Sequence, residues 1–340
     1  MSKTVTDTRP ASSIAARTKP VTTDGATVVG LHFLGRQAAF VLGEEAILLA
    51  APDGSAKRLG VHAGAILCSD SDGNRLATGG DDGKVVVTDA HGSSSVVASD
   101  ERKRWIDQIA LGPDNAIAWS AGKTAFAQTG KGELRTFDAV STVGGLAFAP
   151  KGFRLAVAHY NGVSLWFPNA LKTRPDLLTW KGSHLAVAFS PDGKFLVTAM
   201  QEPMLHGWRL TDAKNMRMSG YAARVRSMAW THDGDYLATG GSDQLILWPF
   251  HGKDGPMGKE PKLLSPHSSR LAVVACHPKQ DVVAAGFADG MVLLVRIDDA
   301  AEILVKKPGN APVTAMAFSG DGKSFAFGCE DGEAGIVDLG

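Results

Sequence analysis

Cysteine is scarce in this chain: three residues in 340, Cys68, Cys276 and Cys329, widely spaced and odd in number. No CxxC pair occurs, which excludes a disulfide framework and a thiolate zinc site. Each cysteine stands in an apolar strand context, the setting of a small buried thiol in a reducing compartment. Net charge is lacking too. Lys plus Arg and Asp plus Glu number 35 each, so no global field steers the chain onto nucleic acid or anionic lipid. No run of about 18 apolar residues is present, so no membrane-spanning helix is expected. The first 23 residues, MSKTVTDTRPASSIAARTKPVTT, lack the apolar core of a secretory signal. They read as a flexible tail or a closing strand, with an Arg- and Ser-containing presequence as the weaker reading, and a cytoplasmic location is expected.

What is present is a repeat. The clearest copies are AVAFSPDGKFLVTA from Ala186, SMAWTHDGDYLATGGSDQLILW from Ser227 and AMAFSGDGKSFAFGCEDG from Ala315. Weaker copies begin at Gly30, Cys68, Ile109, Leu146 and Val273. The residue before the SPDG-like turn marks each unit: Phe33, Ser69, Leu111, Phe148, Phe189, Trp230, Cys276 and Phe318. These markers lie roughly 36 to 46 residues apart, the spacing of a four-stranded propeller blade. Within a unit, short runs of β-formers alternate with Gly, Asp, Pro and Asn turns, and no helical period of useful length interrupts them. In the sixth unit, strands are expected at Arg226–Trp230, Tyr236–Gly240, Leu245–Pro249 and Pro261–Ser265.

The units resemble the WD40 family over essentially the whole chain. The LATGG-D pattern occurs at Leu76–Asp82 and Leu237–Asp243, and the family tryptophan is kept at Trp166, Trp208 and Trp248. The WD dipeptide itself is absent. Only His267 occupies the place of the family histidine, and Tyr221 replaces it in the sixth unit. The resemblance implies an all-β fold: a single WD40-type β-propeller over residues 24–340, of eight blades with seven as the alternative. It also implies that the turn aspartates Asp82, Asp243, Asp289 and Asp331 anchor hydrogen-bond networks with His, Ser/Thr and Trp, with Asn161 doing part of that work in its own unit. A propeller must join its last blade to its first or leave raw strand edges. The last unit ends after its third strand, so residues around Ile14–Thr22 are expected to supply the fourth and close the ring.

Motifs that carry chemistry are few. Gly122-Lys123-Thr124 ends like a phosphate-binding loop, but Ile117 stands where the first glycine belongs and a strand follows. Asp70-Ser71-Asp72-Gly73 places its glycine too early for a calcium loop and coincides with the repeat turn. The ten histidines form no HxH or HExxH; His159, His184 and His206 are the ones to inspect for a site assembled across strands. No catalytic residue, metal or cofactor is implied.

The resembled family displays loops to partners. The loops between units supply Arg102, Lys103, Arg104 and Trp105, then Lys181 and His184, then Tyr221, Arg224 and Arg226, then Arg270. Those between second and third strands supply Asp81, Tyr160, Gln201, Met204, Ser242 and Glu330. Arg102, Arg104, Trp105, Tyr160, His184, Tyr221, Arg224, Arg226 and Arg270 are therefore the candidate binding face. Arginine pairs bidentately with carboxylate or phosphate, so an acidic or phosphorylated peptide is the sharper expectation. The function expected is a non-enzymatic scaffold for protein–protein interaction within a larger assembly. The alternatives are a nucleic-acid-associated propeller using the basic sector with Trp105, disfavoured by zero net charge, and a propeller hydrolase or lactonase with its site in the central channel.

Overall fold

The computed structural model describes residues 12–170 and 172–340. They are almost wholly β, with two single-turn 3-10 segments at Ala15–Arg17 and Pro113–Asn115. By compactness the chain falls into two units. One holds the chain up to Leu42, Leu48–Lys57 and Tyr221–Gly340; the other holds Gly43–Ile47 and Arg58–Gly220.

In the first unit, the sheet Met228–Trp230, Tyr236–Thr239, Leu245–Pro249 and Lys262–Leu264 follows the expected strands to within two residues at each end. Two further sheets use Leu271–Cys276 through Glu302–Lys306, and Val313–Phe318 through Ala334–Asp338. The N-terminal segment is divided between them. Ser12–Ser13 runs parallel to the outer strand Glu302–Lys306, with Ser12 opposite Ile303. Thr18–Pro20 then pairs antiparallel with Ala334–Asp338, Thr18 facing Val337, and forms the fourth strand of the last sheet.

In the second unit, Ile66–Ser71 to Ser94–Ser99 make one sheet and Gln108–Leu111 to Leu134–Asp138 another. The remaining strands of that unit coalesce into one six-stranded sheet. With the sheet of Val28–Leu34, Gln37–Leu42, Ala46–Ala50 and Ala56–Gly60, the described residues form seven hydrogen-bonded sheets. The expectation of eight separate four-stranded sheets is corrected to the alternative count, and the cause is local. The strand Asp176–Phe189 never leaves the sheet: Ser183 still faces Tyr160 while His184 already faces Met200. Leu155–Trp166 likewise bends through Asn161 and Gly162 with only a register shift. Two sequence units thus share one sheet.

Second and third strands are buried on both faces, as in Ile117–Ala121, Phe195–Met200 and Leu245–Pro249, whereas an outer strand such as Ala56–Gly60 is largely exposed. That explains the near-continuous apolar runs of the inner strands, since neighbouring sheets cover both sides. The core is a set of clusters between sheets. Leu245 and Leu247 pack with Leu271, Val283, Phe287 and Leu293 in one, and Leu155 and Val157 pack with Ala118, Ala125 and Trp166 in another. Each fully buried Val, Leu or Ile contributes about 1.5–3 kcal/mol.

Candidate functional site

The polar groups inside the sheets are occupied by structural networks. His62 Nδ1–H donates to Asp82 at 3.0 Å and its Nε2 accepts from Thr78 at 2.9 Å. Gly80 is required beside it, because a Cβ there would fall 2.5 Å from His62 Nδ1. Burial pushes the Asp82 carboxyl up, but hydrogen bonds from the Ala63 amide, the His62 ring and the Lys84 amide outweigh it and hold the group below its ordinary value. His62 is therefore a family histidine that the spacing count assigned to His267 alone. Two further positions carry equivalent groups. His184 donates to the Trp180 carbonyl and lies 2.7 Å from the Thr198 hydroxyl, and Tyr221 lies 2.8 Å from the Thr239 hydroxyl. The signal that could have found them is the buried threonine of the LATGG-like strand, which always needs a partner.

Of the four turn aspartates, only Asp82 anchors a full network. Asp289 caps the Met291 amide and approaches His267 Nε2 to 3.7 Å. Asp243 accepts from Ser242, and Asp331 caps the Glu333 amide; both are exposed turn residues. Among the described residues, the Asp243 and Asp331 side chains bond within their own turns, and Asp243 meets His267 only through its backbone carbonyl, which accepts from the His267 amide at 2.8 Å.

Several candidate binding residues turn out to be internal. His184 is 1% exposed and Tyr221 7% exposed, so neither can meet a partner. Arg104 is committed: its Nε and Nη2 donate to Asp100, the latter at 2.7 Å, and Nη1 donates to the Ala121 carbonyl. Those hydrogen bonds from Arg104 hold the Asp100 carboxyl below its ordinary value, and Asp100 also caps the Arg102 and Arg104 amides. The loop so folded presents Arg102 outward and leaves Trp105 65% exposed. Tyr160 is half-exposed in the same unit, its amide donating to Ser141. His159 is buried and bonded to the Tyr160 carbonyl and Ser164. Gly122-Lys123 is a hairpin turn, with Ala121 paired to Thr124.

The other arginines gather. In the first unit, Arg224, Arg226, Arg270 and Glu330 line one cleft of about 480 Å³, with Ser227 and Thr314 in its wall. Gly241 makes the cleft possible. It has φ +98, and a Cβ would meet the Ala223 and Arg224 carbonyls at 3.1 and 3.3 Å, so only glycine lets the Ala223 amide reach the Gly241 carbonyl. Leu271 is held by Ser242, and the Arg270 carbonyl by the Ala288 amide. Arg226 and Arg270 are exposed and join no ion pair among the described residues. Three guanidinium groups against one carboxylate make the cleft cationic, and it can hold a carboxylate or phosphate group.

The thiols offer poor nucleophiles. Burial pushes Cys276 up to about 12 and Cys329 to about 11, and raises Cys68 as well. Among the described residues, no helix is long and apolar enough to cross a membrane.

Comparison with known proteins agrees with this geometry. The model of the anaphase-promoting complex subunit 4 WD40 domain matches residues 274–340, and that of the WD domain, G-beta repeat matches 55–89 and 214–248. Human WD repeat-containing protein 55 is 26% identical over 196 residues, covering 55% of this chain and 50% of its own length. WD repeat-containing protein 1-B of Xenopus laevis is 29% identical over 89 residues, 25% of this chain and 15% of its own. The chain thus spans about half the length, or less, of the curated relatives it matches. The crystal structure of the computationally designed protein Ika8 superposes with a TM-score of 0.77 at 18% identity, over 94% of this chain and 98% of the other. Fold, repeat and kin converge: the chain carries WD repeats and is similar to WD40-repeat β-propeller proteins.

Proposed function

We propose that this chain is a non-enzymatic scaffold that binds protein partners, and that the cleft of Arg224, Arg226 and Arg270 receives an acidic or phosphorylated peptide segment. The observation that carries this reading is the pair of exposed, unpaired guanidinium groups on a glycine-shaped wall. A rigid scaffold holding loops is the general design of a recognition surface, and arginine recognises carboxylate and phosphate oxygens with two parallel hydrogen bonds. The kinship with WD repeat-containing proteins supports the scaffold role. The commitment of His62, His159, His184 and Asp82 to structural bonds, together with the raised thiols, supports a non-enzymatic one. Three free cysteines fit a reducing compartment such as the cytosol.

The test is a degenerate peptide array in which each position is presented as serine, phosphoserine or glutamate. Phosphoserine and glutamate peptides are expected to bind, with at least tenfold loss in the R226E/R270E double variant and none in R102E. Equal binding by the double variant rejects the cleft. Tighter binding of single-stranded oligonucleotides with a steep salt slope, lost in R102E, would establish the nucleic-acid alternative instead.

A further inference from the structure

Two hairpin turns that follow a first strand share one set of bonds. In Ser190-Pro191-Asp192-Gly193 the aspartate accepts from the serine hydroxyl and from the Lys194 amide, and in Ser319-Gly320-Asp321-Gly322 the same bonds recur. The sixth unit keeps those bonds but changes one residue: Thr231-His232-Asp233-Gly234 has histidine where these two turns carry Pro191 and Gly320. Asp233 Oδ1 accepts from the Thr231 hydroxyl at 2.6 Å and the Asp235 amide at 2.9 Å, which leaves its second oxygen uncommitted among the described residues. The turn of the next sheet brings up Asp281, whose Oδ1 lies 3.1 Å from His232 Nε2.

We infer that His232, Asp233 and Asp281 form a binding site for one divalent transition-metal ion of the zinc class. One imidazole nitrogen and two carboxylate oxygens lie within 4.8 Å of one another. Ligands about 2.0–2.2 Å from a tetrahedral zinc ion are spaced about 3.4 Å apart, so small side-chain rotations close the set. A mixed nitrogen and oxygen donor set suits zinc, cobalt or nickel and disfavours calcium and magnesium, which take oxygen ligands throughout. The Thr231 hydroxyl and Asp235 amide orient Asp233 from behind, as outer partners of metal ligands do. All three side chains are exposed, so water completes the fourth position. The ion would tie the turns of two neighbouring sheets in the first unit.

Titration of the full chain with Co²⁺, followed by visible absorption and then by displacement with Zn²⁺, tests this. One equivalent is expected, with a zinc-dependent rise in melting temperature. H232A and D281N should each weaken Co²⁺ binding at least tenfold and abolish that rise, while D331N, in the cluster of Cys329, Asp331 and Glu333, should change neither. Circular dichroism at neutral pH will show that the variants fold, since the residues changed are surface ones. Absence of binding in the wild type, unchanged binding in H232A, or loss in D331N alone would each overturn the assignment.

Discussion

The Trp248 indole Nε1–H donates to the Tyr221 hydroxyl at 2.6 Å, and that hydroxyl lies 2.8 Å from Thr239, whose own hydroxyl reaches the Ile246 carbonyl. A phenol here performs the task that an imidazole performs in the sheet of His62. It joins a strand residue to a buried side chain through one oxygen that both accepts and donates. Burial pushes the phenol up to about 12, so it stays neutral throughout the useful pH range.

Removing that oxygen should be costly. Tyr221→Phe leaves the Trp248 N–H without its acceptor and breaks the bond to Thr239, with little change in packing. A buried polar group left unpaired costs about 1–3 kcal/mol. Urea unfolding should show a lower midpoint by that amount with an unchanged slope; an unaltered midpoint would mean that water replaces the hydroxyl.

The His62 network makes a similar case with a charge added. Asp82 holds His62 and the Ala63 and Lys84 amides together. Asp82→Ala orphans all three donors and is expected to destabilise by about 2–4 kcal/mol. Asp331→Ala, an exposed turn cap only, should stay within about 1 kcal/mol of wild type. Equal effects from the two would show that the turn alone, not the network, accounts for the stability.

Acid should weaken this fold through His206. Its ring is fully buried, stacked at 4.0 Å on Trp180 and edge-on to Trp208, with neither nitrogen hydrogen-bonded. Burial first, then His184 and Arg217, lower it from 6.5 to about 3. His184 is lowered in the same direction, mainly by burial. Between these limits the unfolded chain binds more protons than the folded one, so stability rises with pH there. It is fully present above about pH 7 and is lost as the pH falls from about 6.5 towards 3. Denaturant midpoints at pH 7.5 and 5 should differ by more in the wild type than in His206→Phe, which keeps the stacking and removes the titration.

Deleting the chain through Pro20 uncovers two sheet edges at once. It removes the Ile14 amide bond to Leu304, the pairing of Thr18–Pro20 with the last strand, and the contact of Ile14 with the apolar cluster of Val292, Phe325 and Val337. At about 1 kcal/mol per hydrogen bond the loss should be about 3–5 kcal/mol, with concentration-dependent aggregation from the bared strands. Thermal melts and light scattering of the truncated chain measure both.

The loop from Asp100 to Trp105 offers a proteolytic test. Asp100→Ala frees two amides and leaves the Arg104 guanidinium only its bond to the Ala121 carbonyl, so trypsin should cut after Arg102, Lys103 and Arg104 several times faster than in the wild type. Unchanged cleavage would show that the loop keeps its shape without the carboxylate.

Much of this protein was legible in its sequence because the information is local. The spacing of SPDG-like turns placed the strands, and Leu245–Pro249 emerges in the structure with the bounds read from its residues. Turn chemistry belongs to a few adjacent residues, and so does the alternation of strand and turn. The count of sheets was not legible, because it depends on whether Lys181-Gly182-Ser183 leaves one sheet before joining the next, and it does not. Nor was the fate of individual polar residues. His184 and Tyr221 carry the same binding chemistry as any surface residue until Thr198 and Thr239, 14 and 18 positions away, bury and bond them. Arg104 reads as a free cation until Asp100 claims it, whereas Arg226 and Arg270, 44 residues apart by their numbers, become one cationic cleft. Sequence alone determined the repeat and the class of fold, because short-range hydrogen bonding and periodic burial specify them. Tertiary structure decided which charges are satisfied and which still seek a partner, because that depends on distances between residues far apart in the chain.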